Sequence, residues 1–292
     1  EKGGQGIGLY PTEFLYLYSG IEPSESEHYE AYSEAARVLQ GHPIVIRTMD
    51  LGADKMPQAE HYSFEANPVL GLRSIRFCLQ NLTMFKTQLR AILRAAVLGK
   101  VKVMFPLITN LQELMQAKMI MRDVMEDLGE ESIPYKSSVE VGIMIETPAA
   151  ALTSYILARD VDFFSIGTND LTQYTLACDR GNEKLGPLFN PLDPAVLRLI
   201  AQVIEAGHAA GKWVGLCGEL GGQRSAIPVL LGLGLDEFSM TPAAIPVAKQ
   251  TIRSLSRSQA QQIARRALSL TTASEVEEYV TSVLDRTEGE KL

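Results

Sequence analysis

Along the chain, short apolar runs alternate with segments whose apolar residues recur at helical spacing. The runs are 6–10 (GIGLY), 43–48 (PIVIRT), 101–107 (VKVMFPL), 139–145 (VEVGIMI), 162–167 (DFFSIG), 213–216 (WVGL) and 236–240 (DEFSM). Near-continuous apolarity over such lengths predicts strands buried on both faces, as in parallel sheets. The intervening helices have readable ends. Pro23 precedes Ser24-Glu25-Ser26-Glu27, a capping box opening a helix to about Gln40. Phe85, Leu89, Ile92, Leu93 and Ala96 follow a 3.6-residue period that Gly99 stops. Leu111 to Leu128 reads as a helix closed by Gly129. Thr147-Pro148 and Asp193-Pro194 each read as an N-cap followed by proline in the first turn. Ser274 is the expected cap of the last helix, which runs to about Leu284.

Strand followed by helix, seven times over, predicts an α/β fold with a parallel sheet. A (β/α)8 TIM-type barrel takes about 250 residues, and 292 accommodate it. Seven strands leave the barrel one short. The absent first strand is expected upstream, because Glu1-Lys2-Gly3-Gly4 is neither an initiator start nor a signal peptide. Without a fixed-period repeat or a Gly/Ser- or Pro-rich linker, residues 1–292 read as one domain.

Composition narrows the function. Hydrophobic residues at 46% and charged residues at 21% are ordinary for a globular chain and exclude a disordered one. The net charge of −8 argues against a nucleic-acid partner. It leaves room for a small anion held by a local arginine cluster. Three cysteines without framework spacing predict free thiols and a reducing, cytoplasmic location. No uninterrupted apolar run reaches the roughly 18 residues of a membrane span. None of His28, His42, His61 and His208 stands at metal-ligand spacing from another.

Polar residues gather at the strand C-termini, the face that carries active sites in (β/α)8 barrels. Arg47 follows IVI, Glu146 follows VGIMI, Asn169 and Asp170 follow FFSIGT, and Cys217 and Glu219 follow WVGL. Asp170 and Thr147 could also simply cap helices. Glu146 and Asp170 form an acidic pair suited to Mg²⁺, which prefers hard oxygens and few protein ligands; the other reading of each is a salt bridge to arginine. Arg47, Arg73 and Arg180 supply donors for phosphate or carboxylate. Arg76 lies beside Arg73, and periodicity does not say which points inward. With Mg²⁺ offsetting the two acids, three arginines leave a charge of about +3. Phosphoenolpyruvate carries about −3. Cys217 in GLCGEL is either a small buried hydrophobe or an acid or nucleophile at the barrel mouth. Cys78 and Cys178 fall in helical patterns and read as packing, and Lys55 is a loop lysine open to either role.

The segments IVIRTMDLGADK, NPVLGLRSIR, VKVMFPLI, VGIMIETPAA, DFFSIGTNDLTQYTLACDRGN and GLCGELGG resemble the C-terminal domain of enzyme I of the bacterial phosphoenolpyruvate:sugar phosphotransferase system. The likeness runs from Gly6 to about Met240 and continues more weakly to the end. Pyruvate phosphate dikinase and phosphoenolpyruvate synthase look similar at GTND and CGE, but the TQYTLACDRGN continuation favours enzyme I. The resemblance implies a dimeric barrel that binds phosphoenolpyruvate and Mg²⁺, with Mn²⁺ as a substitute. The phosphoryl group would pass to a histidine on a separate N-terminal domain and then to a histidine phosphocarrier protein, releasing pyruvate. Carried onto this chain, Glu146 and Asp170 match the metal ligands, and Arg47, Arg73, Arg180 and Asn169 match substrate contacts. Cys217 matches the acid that protonates the enolate. Two departures stand out. The phosphorylatable histidine is not in this sequence, and Pro11 stands where the family has an arginine that contacts the substrate phosphate. Pro11 admits a rival, a non-catalytic phosphoenolpyruvate-sensing or dimerisation module; retention of Glu146, Asp170, Arg47 and Cys217 speaks against it.

Overall fold

The computed structural model describes residues 2–19, 21–52 and 65–289. They divide into two compact units, Gln5–Met144 and Ile145–Leu292, the latter joined by the N-terminal Glu1–Gly4 segment.

The first unit runs β1 (Ile7–Tyr10), α1 (Glu13–Ser19), α2 (Glu25–Val38), β2 (Pro43–Arg47), α3 (Ser74–Gln80), α4 (Leu82–Ala95), β3 (Lys100–Phe105), α5 (Leu111–Glu130) and β4 (Val141–Ile145), whose last residue falls to the second unit. Its strands pair in parallel and in sequence order, with Ile44 beside Val101 and Val103 beside Val141. Ser24 caps α2 through the backbone N–H of Glu27, and the Glu27 carboxylate accepts from the Ser24 N–H, so the capping box forms as expected. The apolar stripe of α4 is fully buried at Phe85, Leu89 and Ile92. Phe85 meets Phe105 of β3 edge to face at 6.0 Å. Burying one such ring contributes about 1.5–3 kcal/mol.

The second unit runs α6 (Pro148–Leu152), α7 (Ser154–Leu157), β5 (Phe163–Gly167), α8 (Thr168–Leu176), α9 (Pro194–Ala209), β6 (Trp213–Cys217), α10 (Ile227–Leu233), β7 (Glu237–Ser239), α11 (Ile245–Ser254), α12 (Arg257–Ala267) and α13 (Ala273–Gly289). Its strands are parallel and sequential too, with Phe163 beside Trp213 and Cys217 beside Ser239. Phe163 and Trp213 stack at 4.4 Å. Glycine permits two close approaches. A Cβ at Gly207 of α9 would stand 2.5 Å from Val214 of β6. One at Gly232 of α10 would stand 1.9 Å from the Ala260 carbonyl of α12.

All seven expected strands are present, each parallel to its neighbours within its unit. The fold class is therefore α/β of the (β/α)8 type, with seven strands among the described residues. Three local expectations differ. Gly129 lies inside α5, which runs to Glu130; Ser132, at φ 58°, makes the left-handed turn, and the Ile133 N–H returns to the Leu128 carbonyl. The last helix is capped by Thr272, whose hydroxyl accepts from the Glu275 N–H while the Glu275 carboxylate accepts from the Thr272 N–H. Thr272 and Glu275 also carry the capping-box spacing, and Ser274 lies within the first turn. Cys178 lies beyond α8, because Ala177 at φ 52° ends that helix in a left-handed turn.

Candidate functional site

In the second unit, the chain leaves β4 directly into Glu146, which is 2% exposed. The Glu146 side chain lies over Gly167, the last residue of β5 and the N-cap of α8. A Cβ at Gly167 would stand 2.6 Å from Glu146 Cγ and 2.8 Å from its Oε1. Asp170, also buried, sits in the first turn of the same helix. Two carboxylates thus meet one helix N-terminus, where the unpaired N–H groups favour negative charge by roughly 0.3–1 kcal/mol each. Thr147 caps α6 through the Ala150 N–H at 3.2 Å, so its capping role is the correct one. Asp170 is the third residue of α8, and its Oδ1 accepts from Gln173 Nε2 at 3.5 Å.

Gln173 is a residue the sequence reading passed over. Its Oε1 accepts the backbone N–H of Arg180 at 3.0 Å, tying the segment after α8 to the acidic pair. The Arg180 side chain itself is exposed. Asn169 is half-buried in the first turn of α8. The backbone after β6 comes close to it. Gly218 has φ +135°, and a Cβ there would stand 2.4 Å from Thr168 Oγ1 and 3.4 Å from Asn169 Oδ1. Cys217, 3% exposed at the end of β6, accepts a hydrogen bond from the Ser165 hydroxyl at 3.2 Å. Glu219 is exposed. Among the described residues, no group of three or more His, Cys, Asp or Glu side chains could hold a metal ion.

In the first unit, Arg47 ends β2 and is fixed by two acids that the sequence reading did not single out. Its Nη1 lies 2.8 Å from Asp50 Oδ2 and its Nη2 lies 3.1 Å from Glu13 Oε2. Arg73 Nη2 reaches the other Asp50 oxygen at 3.1 Å. The Asp50 N–H donates to Glu13 Oε1 at 3.0 Å. Burial alone would raise the Asp50 carboxyl, but the Arg47 and Arg73 guanidiniums beside it hold it below the ordinary carboxylate range. Burial, and secondarily the Asp50 charge, push the Cys78 thiol up, which keeps it a packed, protonated group.

This cluster corrects the charge count from sequence, since Asp50 and Glu13 already offset Arg47 and Arg73. It also separates the adjacent arginines. The Arg73 side chain is 13% exposed and engages Asp50, whereas Arg76 is 37% exposed and points to Glu113 at 3.7 Å. Pro11 is exposed between β1 and α1. Lys55 and His61 fall in 53–64, outside the described residues.

Comparison with known proteins adds identity to this geometry. Residues 1–257 match the family model described as the PEP-binding domain of PEP-utilising enzymes. The phosphoenolpyruvate-protein phosphotransferases of Staphylococcus aureus strain MSSA476 and of Priestia megaterium are each 48% identical over 282 residues, which is 97% of this chain and 49% of theirs. The chain therefore spans about half the length of these curated relatives. Among solved structures, a Haloferax volcanii malate synthase in a pyruvate/acetyl-CoA ternary complex superposes with a TM-score of 0.56 at 16% identity, over 86% of this chain and 61% of that one. A citrate lyase from Burkholderia xenovorans gives 0.53 at 16% identity, over 98% and 92%. These two share the fold. No described helix is long and apolar enough to cross a membrane.

Proposed function

The chain belongs to the PEP-utilising enzymes through their PEP-binding domain, and from that membership we propose that it is the phosphoenolpyruvate- and Mg²⁺-binding part of a phosphoenolpyruvate-protein phosphotransferase. The observation that carries the reading is the seating of Glu146 against Gly167 at the head of the helix that bears Asp170. Two buried hard-oxygen donors fit Mg²⁺, which takes few protein ligands and completes its shell with water and substrate oxygens. Glu146 and Asp170 would hold the ion, which would supply charge neutralisation of the transferred group.

Arg47, Arg73 and Arg180 bind the phosphate and carboxylate of the substrate, and Asn169 orients the phosphate. The phosphoryl group leaves the enol oxygen as a P–O bond breaks, and a P–N bond forms to a histidine on a domain outside this chain. Cys217 gives its Sγ proton to C3 of the enolate, and pyruvate departs. A thiol suits the task because its reference pKa of about 8.5 lies near neutral pH. The phosphohistidine then serves a small histidine phosphocarrier protein in sugar uptake. The whole protein works in the cytoplasm as a homodimer. The 48% identity to phosphotransferases from two genera supports this reading over a dikinase or synthase.

Thermal unfolding with phosphoenolpyruvate tests it. Stabilisation is expected in Mg²⁺ or Mn²⁺ and not in chelator. Glu146→Ala and Asp170→Ala should each abolish the metal-dependent shift while still unfolding cooperatively. Equal stabilisation in chelator would sink the metal assignment.

A further inference from the structure

Gln88 lies on α4, outside every motif that marks the site, and is completely buried. Its amide is fully engaged. Oε1 accepts the Met49 N–H at 2.9 Å. Nε2 donates to Thr12 Oγ1 and to Tyr32 Oη, each at 3.1 Å. Thr12, itself fully buried, donates its hydroxyl to the Arg47 carbonyl at 3.1 Å. One side chain thus fastens the segments that follow two neighbouring strands. The segment after β1 carries Glu13, and the segment after β2 carries Arg47 and Asp50.

The amide orientation is fixed by Met49 and Thr12. A flipped amide would set its carbonyl against Thr12 Oγ1, whose proton goes to the Arg47 carbonyl, and its NH₂ group against the Met49 N–H, leaving buried donors unmet at about 1–3 kcal/mol each. Behind the amide, Tyr32 Oη lies 2.9 Å from His28 Nδ1, and His28 Nε2 lies 3.4 Å from Tyr16 Oη. Burial pushes the His28 imidazolium down to about 4, so the ring is neutral near pH 7.

We propose that Gln88 is a positioning residue: it sets the main chain at Arg47 and Met49, and through Thr12 the approach of Glu13, so that the Arg47 guanidinium stands where an anion can use it. This rests on the reading above that Arg47 contacts the substrate. The substitutions Gln88→Leu, Thr12→Val and Tyr32→Phe separate positioning from stability. Calorimetric titration of this chain with phosphoenolpyruvate and Mg²⁺, well below each melting temperature, is paired with Mn²⁺ binding read by electron paramagnetic resonance.

Gln88→Leu should raise the phosphoenolpyruvate Kd at least tenfold and Thr12→Val several-fold, with Mn²⁺ affinity within twofold of the parent. Tyr32→Phe keeps the amide's bonds to Thr12 and Met49, so it should lower the melting temperature and leave Kd within twofold. A folded Gln88→Leu with the parental Kd overturns the proposal, as does equal weakening by Tyr32→Phe. If Gln88→Leu does not fold, Thr12→Val decides, and an unchanged Kd there overturns it. A parent chain that binds Mn²⁺ but no phosphoenolpyruvate overturns instead the substrate reading on which the proposal stands.

Discussion

In the Gln5–Met144 unit, Arg47 and Arg73 are held by opposite charge: Asp50 and Glu13 grip them at 2.8–3.1 Å. In the Ile145–Leu292 unit, Glu146 is held by shape. Its side chain lies where Gly167 offers no Cβ. The two devices respond differently to perturbation. A charge-paired cluster can trade one anion for another and is sensitive to pH. A sterically seated carboxylate tolerates no added atom. The pairing therefore suits side chains that must accept a ligand anion. The seating suits donors that must keep one geometry.

Gly167→Ala breaks the seated half and should have the largest effect. The new methyl group would overlap Glu146 Cγ and Oε1. Overpacking of this kind costs about 1–3 kcal/mol. Denaturant unfolding should record a loss of about 3 kcal/mol, and the Mg²⁺-dependent shift with phosphoenolpyruvate should vanish. A variant with parental stability and response would mean that Glu146 has room to move.

Asp50→Asn breaks the paired half. Removing one partner of a buried ion pair costs about 3–5 kcal/mol, and partial exposure of Arg47 and Arg73 reduces this to about 2 kcal/mol. Because the folded carboxyl titrates below its unfolded value of about 3.9, its contribution is complete above that pH. The contribution falls away as pH drops through the folded pKa. Stability measured from pH 5 downward should thus fall less steeply in Asp50→Asn than in the parent. Parallel curves would show that Asp50 contributes nothing through its charge.

Pro11→Arg sharpens the contrast by adding an uncommitted cation to the arginine-bearing unit. Proline offers no side-chain donor there. A charge-assisted bond is worth about 1.5–3 kcal/mol, discounted here for exposure to about 1.4 kcal/mol, or tenfold in affinity. Titration calorimetry with phosphoenolpyruvate and Mg²⁺ should show that gain. Equal dissociation constants would make Pro11 a neutral replacement.

The strands and most helix ends were legible because they depend on local signals: apolar run length, proline in the first turn, and side chains that cap nearby N–H groups. The end of α5 differs from the sequence expectation because a glycine is only a permissive signal, and Ser132 takes the left-handed position instead. Glu146, Asp170, Cys217 and Arg47 were legible as polar residues ending apolar runs. Asp50 and Glu13 were not, since pairing between residues 37 positions apart leaves no mark in one sequence. Gln173 could have been found, because it lies one helical turn beyond Asp170. Gln88 had no such signal, lying 39 and 76 positions from its partners Met49 and Thr12.

The contact of Gly232 with the Ala260 carbonyl bears on how this chain would behave in a saturation mutagenesis screen. Any side chain at 232 must force α10 and α12 apart, so every substitution should deplete protein in the cell. A growth-based score would rank Gly232 beside Glu146 and Asp170, although it touches no chemistry. Scoring abundance alongside growth separates the two groups: Gly232 variants should fail on both scales, whereas conservative Glu146 and Asp170 variants should fail on growth alone.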